Sequence, residues 1–191
     1  MVDAIIEGIK DRVGVAIKIN QSVGIQVPEN RHENLRQALF TSMSSNAHDT
    51  WTFVTISNTY DYLVKKYKHI TELPNVRFID CISRVIGISE LDKHCTYIES
   101  PTMLEKTALE IINSIQTSKN EGDKYIVIDS LSALMIYNDS EIIREFVYFL
   151  MNRTRAENVH LVTIVIEEEM DTDKLIQLND KIIVLRDSFI E

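Results

Sequence analysis

The run Lys124-Tyr-Ile-Val-Ile-Asp129 restricts the fold of this chain more than any other stretch. Tyr125 to Ile128 are apolar without a break, so a strand formed there needs cover on both faces. Such a strand belongs in a parallel sheet between two helical layers, and its C-terminal end delivers Asp129 and Ser130 to one sheet edge. The rest of the chain repeats the pattern. Strands are predicted at Val23–Val27, Trp51–Ile56, Val76–Asp80, Cys95–Ile98, His160–Ile166 and Lys181–Leu185.

Helical stripes lie between these strands. Leu35, Ala38, Leu39 and Met43 follow Asn30 and Glu33, whose spacing is that of a capping box. Asn58 or Thr59 can cap a helix bearing Leu63 and Tyr67. Ser100 is placed to cap a helix with Pro101 at its first position, and Leu104, Ala108, Ile111, Ile112 and Ile115 on its inner face. Asn138 and Glu141 again have capping-box spacing, ahead of Ile142, Ile143, Phe146, Val147 and Leu150, and Arg153 and Arg155 suit that helix's C-terminal end. A short helix is expected over 171–178, and 83–93 reads as a surface excursion. At the N-terminus, Val2, Ile5, Ile6, Ile9 and Val13 share a helical face, whereas Val15, Ile17 and Ile19 alternate like a strand. The reading is therefore an N-terminal helix or strand extension over 1–22, packed on an α/β domain over 23–191.

At 191 residues and 45% hydrophobic, the chain can build one sizeable core. A formal charge of −9 argues against a general nucleic-acid binder, whose affinity depends on clustered Lys and Arg. Cys81 and Cys95 are too few for a disulfide framework or a zinc site, and reduced thiols are expected. No apolar stretch approaches the ~18 residues of a membrane span, and charges interrupt the N-terminal apolar run. A cytoplasmic protein without membrane or nucleic-acid partners is expected.

Tyr125-Ile-Val-Ile-Asp-Ser-Leu-Ser-Ala-Leu134 resembles the Walker B strand of RecA/KaiC-like ATPase domains, particularly the small archaeal members, together with the segment that follows it. Asp180-Lys-Ile-Ile-Val-Leu185 resembles a late strand of the same domains, and the resemblance covers roughly 23–186. It implies a three-layer RecA-like, P-loop NTPase-type fold, with a mostly parallel sheet and helices on both faces. It also implies that Asp129 corresponds to a carboxylate associated with Mg²⁺ and nucleotide.

The departures from that family are as informative as the match. Active members open their first strand into Gly-x-x-x-x-Gly-Lys-Ser/Thr, whose amides and lysine hold phosphate. Here the same place reads Val27-Pro-Glu-Asn-Arg-His-Glu-Asn34, with no glycine or lysine, and with Glu29 and Glu33 repelling an anion. Where the family carries acidic, water-activating residues after its second strand, this chain has Ser57 and Asn58. Neither is a strong general base.

The expectation is thus a non-catalytic domain with a degenerate P-loop, a regulatory or scaffolding protein-interaction module that needs no cofactor. Its partner would be another protein, or by analogy a second copy of itself. Two other readings stay open. In one, Asp129 retains Mg-nucleotide binding or hydrolysis. In the other, the strand C-terminal edge takes an unrelated small molecule.

Candidate ligand-edge residues are few. Arg31 and His32 lie at a helix N-terminus that could attract an anion, against a plain solvated helix start. Glu167 and Glu168, with Glu169, could hold a hard cation together with Asp129, against a solvated acidic loop. Ser130 and Ser132 lack a nucleophile elbow and suit local backbone hydrogen bonds. No metal site follows from the five histidines, which show no ligand spacing.

Overall fold

A computed structural model describes residues 2–89, 91–118, 120–167 and 173–186. The elements run α1 (Val2–Ile19), β1 (Ser22–Val27), α2 (Glu29–Ser45), β2 (Thr50–Thr55), α3 (Tyr60–Lys66) and a 3-10 turn over Lys68–Glu72. They continue with β3 (Val76–Asp80), β4 (Cys95–Tyr97), α4 (Leu104–Thr117), β5 (Lys124–Asp129) and α5 (Leu131–Met135). The last are α6 (Ser140–Ala156), β6 (His160–Ile166), α7 (Asp173–Ile176) and β7 (Lys181–Val184).

The strands form one sheet in the order β4-β3-β2-β5-β6-β1-β7, and every pairing is parallel. Alternating side chains feed two cores. One face places Ile25, Phe53, Phe78, Val127 and Ile164 against α1, α2 and α3, where Phe40, Phe53, Phe78 and Tyr67 form an aromatic group. The other places Val54, Ile79, Ile126, Ile128 and Leu161 against α4, α5 and α6. This is the three-layer, doubly covered parallel sheet expected from the unbroken apolar strands.

The ambiguous N-terminus is helical as far as Ile19. Ile9, Val13, Ala16 and Ile17 are buried at i, i+4, i+7 and i+8, while Val15 and Ile19 face solvent. The apparent alternation was the edge of a helical stripe. α1 shares a core with α2 and the sheet.

Three helix starts differ from the spacing-based expectation. α2 starts at Glu29 with Pro28 at its N-cap, which has no side-chain acceptor to cap with, so Asn30 falls inside the helix and Glu33 pairs with Tyr67 and Lys66 instead. α4 begins at Leu104 behind a turn closed by the Met103 N–H on the Ser100 carbonyl (3.0 Å), so Pro101 precedes the helix. α6 has Asp139 at its N-cap, and Asn138 instead donates to the carbonyls of Leu134 (3.0 Å) and Pro101 (3.3 Å). Thr59 does cap α3, accepting from the Tyr62 N–H. Ile112 is half-buried and Ile142 is exposed, so neither belongs to the inner stripe predicted for its helix. The short helix expected over 171–178 is seen at Asp173–Ile176.

Asp180 links the starts of two strands. Its Oδ2 accepts from the Ser22 backbone N–H and hydroxyl (both 2.9 Å), and its Oδ1 accepts from Arg155 (2.6 Å). Nearby, Asn179 bridges the Thr163 hydroxyl and the Ile176 carbonyl (3.0 Å each), bringing α7 down onto β1. Gly24 makes that approach possible, since an added Cβ would lie 2.5 Å from Ile176 Cγ1 and 2.7 Å from Asn179 Nδ2. Gly24→Ala should therefore destabilise the fold by ~1–3 kcal/mol through overpacking, read as a lower urea midpoint at unchanged m-value.

Candidate functional site

β5 ends at Asp129, beside Thr55 of β2, and the Asp129 carbonyl accepts from the Ile56 N–H (2.9 Å). The peptide bond from Asp129 to Ser130 is cis. β6 separates β5 from β1, so α2, which follows β1, reaches across the end of β6 to Asp129. His32 and Arg36 sit one turn apart on α2 and point the same way.

Asp129 is fully buried, and α2 supplies partners for both of its oxygens. His32 Nε2 donates to Oδ1 (2.5 Å) and Arg36 Nε donates to Oδ2 (2.8 Å). Burial alone would raise the Asp129 carboxyl, but the charges and hydrogen bonds of Arg36 and His32 outweigh it and hold the pKa at about 2. Burial likewise opposes the charge on Arg36, and the adjoining Asp129 and Glu33 more than restore it, leaving its pKa above the ordinary arginine value.

The cluster extends outward from Arg36. Its Nη1 meets Glu33 Oε2 (3.3 Å) and its Nη2 donates to the Ser57 hydroxyl (3.3 Å). Lys66 reaches Glu33 Oε1 (2.8 Å), and the Tyr67 hydroxyl donates to the same oxygen. Burial and the neighbouring Glu33 carboxylate both push the Tyr67 phenol up, so it stays a donor. A charge ladder thus runs from the buried Asp129 through Arg36 and Glu33 to Lys66 at the surface.

The sequence-predicted residues divide accordingly. His32 joins Asp129, whereas Arg31 is half-buried on α2 outside the Asp129 pair. Glu167 is exposed at the end of β6, its N–H bonded to the Val27 carbonyl (3.0 Å). Glu168 and Glu169 lie outside the described residues. Ser130 caps α5 by accepting from the Ala133 N–H (3.2 Å). Ser132 makes a distant contact instead of a local one, accepting from the Ile166 N–H of β6 (2.8 Å).

Sequence reasoning missed Arg36. The available signal was its place with His32, Leu35, Leu39 and Met43 on one helical stripe, where a cation must be paired if the stripe is buried. Cys81 has no features of a nucleophile. Burial pushes its thiol up to about 12, and its nearest polar contact is the Thr107 hydroxyl at 3.8 Å. Among the described residues, no three His, Cys, Asp or Glu side chains gather to hold a metal, and no helix is long and apolar enough to cross a membrane.

The seven-stranded parallel sheet with helices on both faces is the fold of a KaiC-like protein. Among solved structures it is similar to the KaiC-like protein PH0186 from the hyperthermophilic archaeon Pyrococcus horikoshii OT3. That match has a TM-score of 0.61 at 11% identity, covering 90% of this chain and 74% of that one. It is also similar to the uncharacterized protein PH0321 from Pyrococcus horikoshii, solved in complex with an unknown peptide. There the TM-score is 0.64 at 15% identity, over 90% of this chain and 80% of that one. No protein-family model matches the sequence, and no curated protein matches it.

Proposed function

We propose that this chain is a non-catalytic RecA/KaiC-like domain, a regulatory or scaffolding module that acts through contacts with another protein. The observation that carries the reading is the saturation of both Asp129 oxygens by side chains of α2. In a nucleotide-hydrolysing domain a carboxylate at this strand end works beside Mg²⁺. Here the Arg36 guanidinium neutralises it, His32 hydrogen-bonds its other oxygen, and its burial removes it from water. The residues present do not fit Mg-nucleotide. Pro28 offers no amide at the α2 N-cap, Glu29 occupies the first turn, and Ser57 stands where a general base would be needed. That PH0321 was solved in complex with an unknown peptide supports peptide or protein contact as one use of this fold.

Thermal unfolding with Mg-ATP, Mg-GTP and the metal-free nucleotides tests this. Ligand that binds only the folded state raises the midpoint by mass action, by about 2.7 kcal/mol of stability at a hundredfold excess over Kd. The expected result is no saturable shift with any of the four. A saturable, Mg²⁺-dependent shift that disappears in Asp129→Asn would overturn the reading.

A further inference from the structure

β7 is the last strand of the sheet, and among the described residues its outer edge pairs with no other strand. The Leu185 N–H donates to the Gln26 carbonyl (2.8 Å) on the β1 side. Bonding direction alternates along a strand, so Ile182 and Val184 turn their N–H and C=O groups away from β1. An edge of this kind is a template for another extended chain unless charge, proline or a covering element blocks it. β7 carries a single charge, Lys181, and no proline.

A groove of about 350 Å³ lies between this edge and α1. Val15 and Ile19 of α1 and Ile182 of β7 line it, and Val15 and Ile19 are 61% and 76% exposed. The two stand one turn apart, outside the stripe through which α1 packs on the sheet, so the fold itself makes no use of them. Charge decides what fits there. The charged residues of the lining are Arg12 and Lys181, both exposed and without an ion pair among the described residues, and no carboxylate lines the groove. This basic lining is a local exception on a chain of net charge −9. A second copy docked edge to edge would set two such basic grooves against each other, which like-charge repulsion opposes. An acidic occupant completes the charges.

We infer that the β7 edge and the Val15–Ile19 groove form a docking surface for an extended acidic and apolar segment of a partner protein, which adds to the sheet as a further strand. Its backbone pairs with Ile182 and Val184, alternate apolar side chains cover Val15 and Ile19, and flanking carboxylates meet Arg12 and Lys181. The inference rests on the protein-contact reading for its use and gives that reading a surface and a partner chemistry. Its residues are separate from the Asp129 cluster.

The probe is a fluorescein-labelled peptide, Glu-Ile-Thr-Val-Thr-Ile-Glu amide, followed by anisotropy as the full chain is added. Saturable binding with a Kd below about 1 mM is expected, weakening as salt rises. Amide exchange should slow at Ile182 and Val184 when the peptide binds. Proline at both the third and fourth peptide positions removes a ladder donor whichever way the strand faces, and should abolish binding. A peptide with Lys in place of each Glu should bind roughly tenfold more weakly, and Arg12→Glu with Lys181→Glu should reverse that preference. Both positions are exposed, so this double variant should fold with a thermal midpoint close to that of the native chain. Three results would overturn the surface: no saturable binding of the acidic peptide; equal binding of the proline peptide; or Ile182 and Val184 amides already protected in the free chain. Protection independent of concentration would assign the edge to the chain's own residues, and protection that grows with concentration would assign it to a second copy. Each of these failures leaves the nucleotide titration standing, because that experiment reads Asp129 and this one reads β7.

Discussion

Arg36→Met should destabilise the domain by ~3–5 kcal/mol, the usual cost of stranding one partner of a buried ion pair. For a chain of this length that corresponds to a fall of roughly 6–20 °C in thermal midpoint, given ~2–4 °C per kcal/mol. The cause is local. Asp129 is completely buried, so without the guanidinium its carboxylate keeps only His32 against the full desolvation penalty. Methionine fills a similar volume along the same stripe, which separates the electrostatic loss from a packing loss.

The partner experiment is Arg36→Met with Asp129→Leu. Removing both charges should recover most of the stability, because a buried pair seldom exceeds a well-packed apolar substitute. A coupling of 0.5–3 kcal/mol or more in the resulting double-mutant cycle, from urea melts, would identify the pair as one energetic unit. Independent, additive effects would contradict the cluster as described.

Much of this architecture was legible because it depends on local patterning. Tyr125–Asp129 could be placed in a doubly covered parallel sheet from its unbroken apolar run alone, and all seven expected strands appear within a residue or two of their predicted bounds. What misled was short-range spacing in competition with tertiary contacts. Asn30/Glu33 and Asn138/Glu141 have the right separation for capping boxes, yet a cap is worth ~1 kcal/mol, and Lys66, Tyr67 and the Leu134 and Pro101 carbonyls offer alternative partners. The site divides along the same line. Asp129 follows from its strand, but its partner Arg36 is 93 positions away and reads as one more charge on an amphipathic helix.

The second large effect is a loss of stability in acid that originates at Asp129. Its folded pKa of about 2 lies below the ordinary carboxyl value of 3.8, so the unfolded chain binds the proton first as pH falls. The contribution is complete above pH ~5, where the group is ionised in both states, and it declines as pH drops through 4 and 3 towards 2. At about 1.4 kcal/mol per pKa unit, the Asp129 interactions supply on the order of 2–3 kcal/mol of neutral-pH stability that acid removes. Glu33 and Asp180 are also held below their ordinary values, Glu33 despite its burial, through Lys66, Tyr67 and Arg36, and Asp180 despite its burial, through Ser22 and Arg155. Both are partly exposed, so solvent screens their pairs and their share of the acid response is small. Urea melts between pH 6 and pH 2.5 should accordingly show a steep decline below pH 4 in the native chain. In Asp129→Asn, which cannot titrate there, stability at pH 6 should be lower and the decline much shallower. Equal slopes in the two proteins would mean that Asp129 is not the group through which acid unfolds this domain.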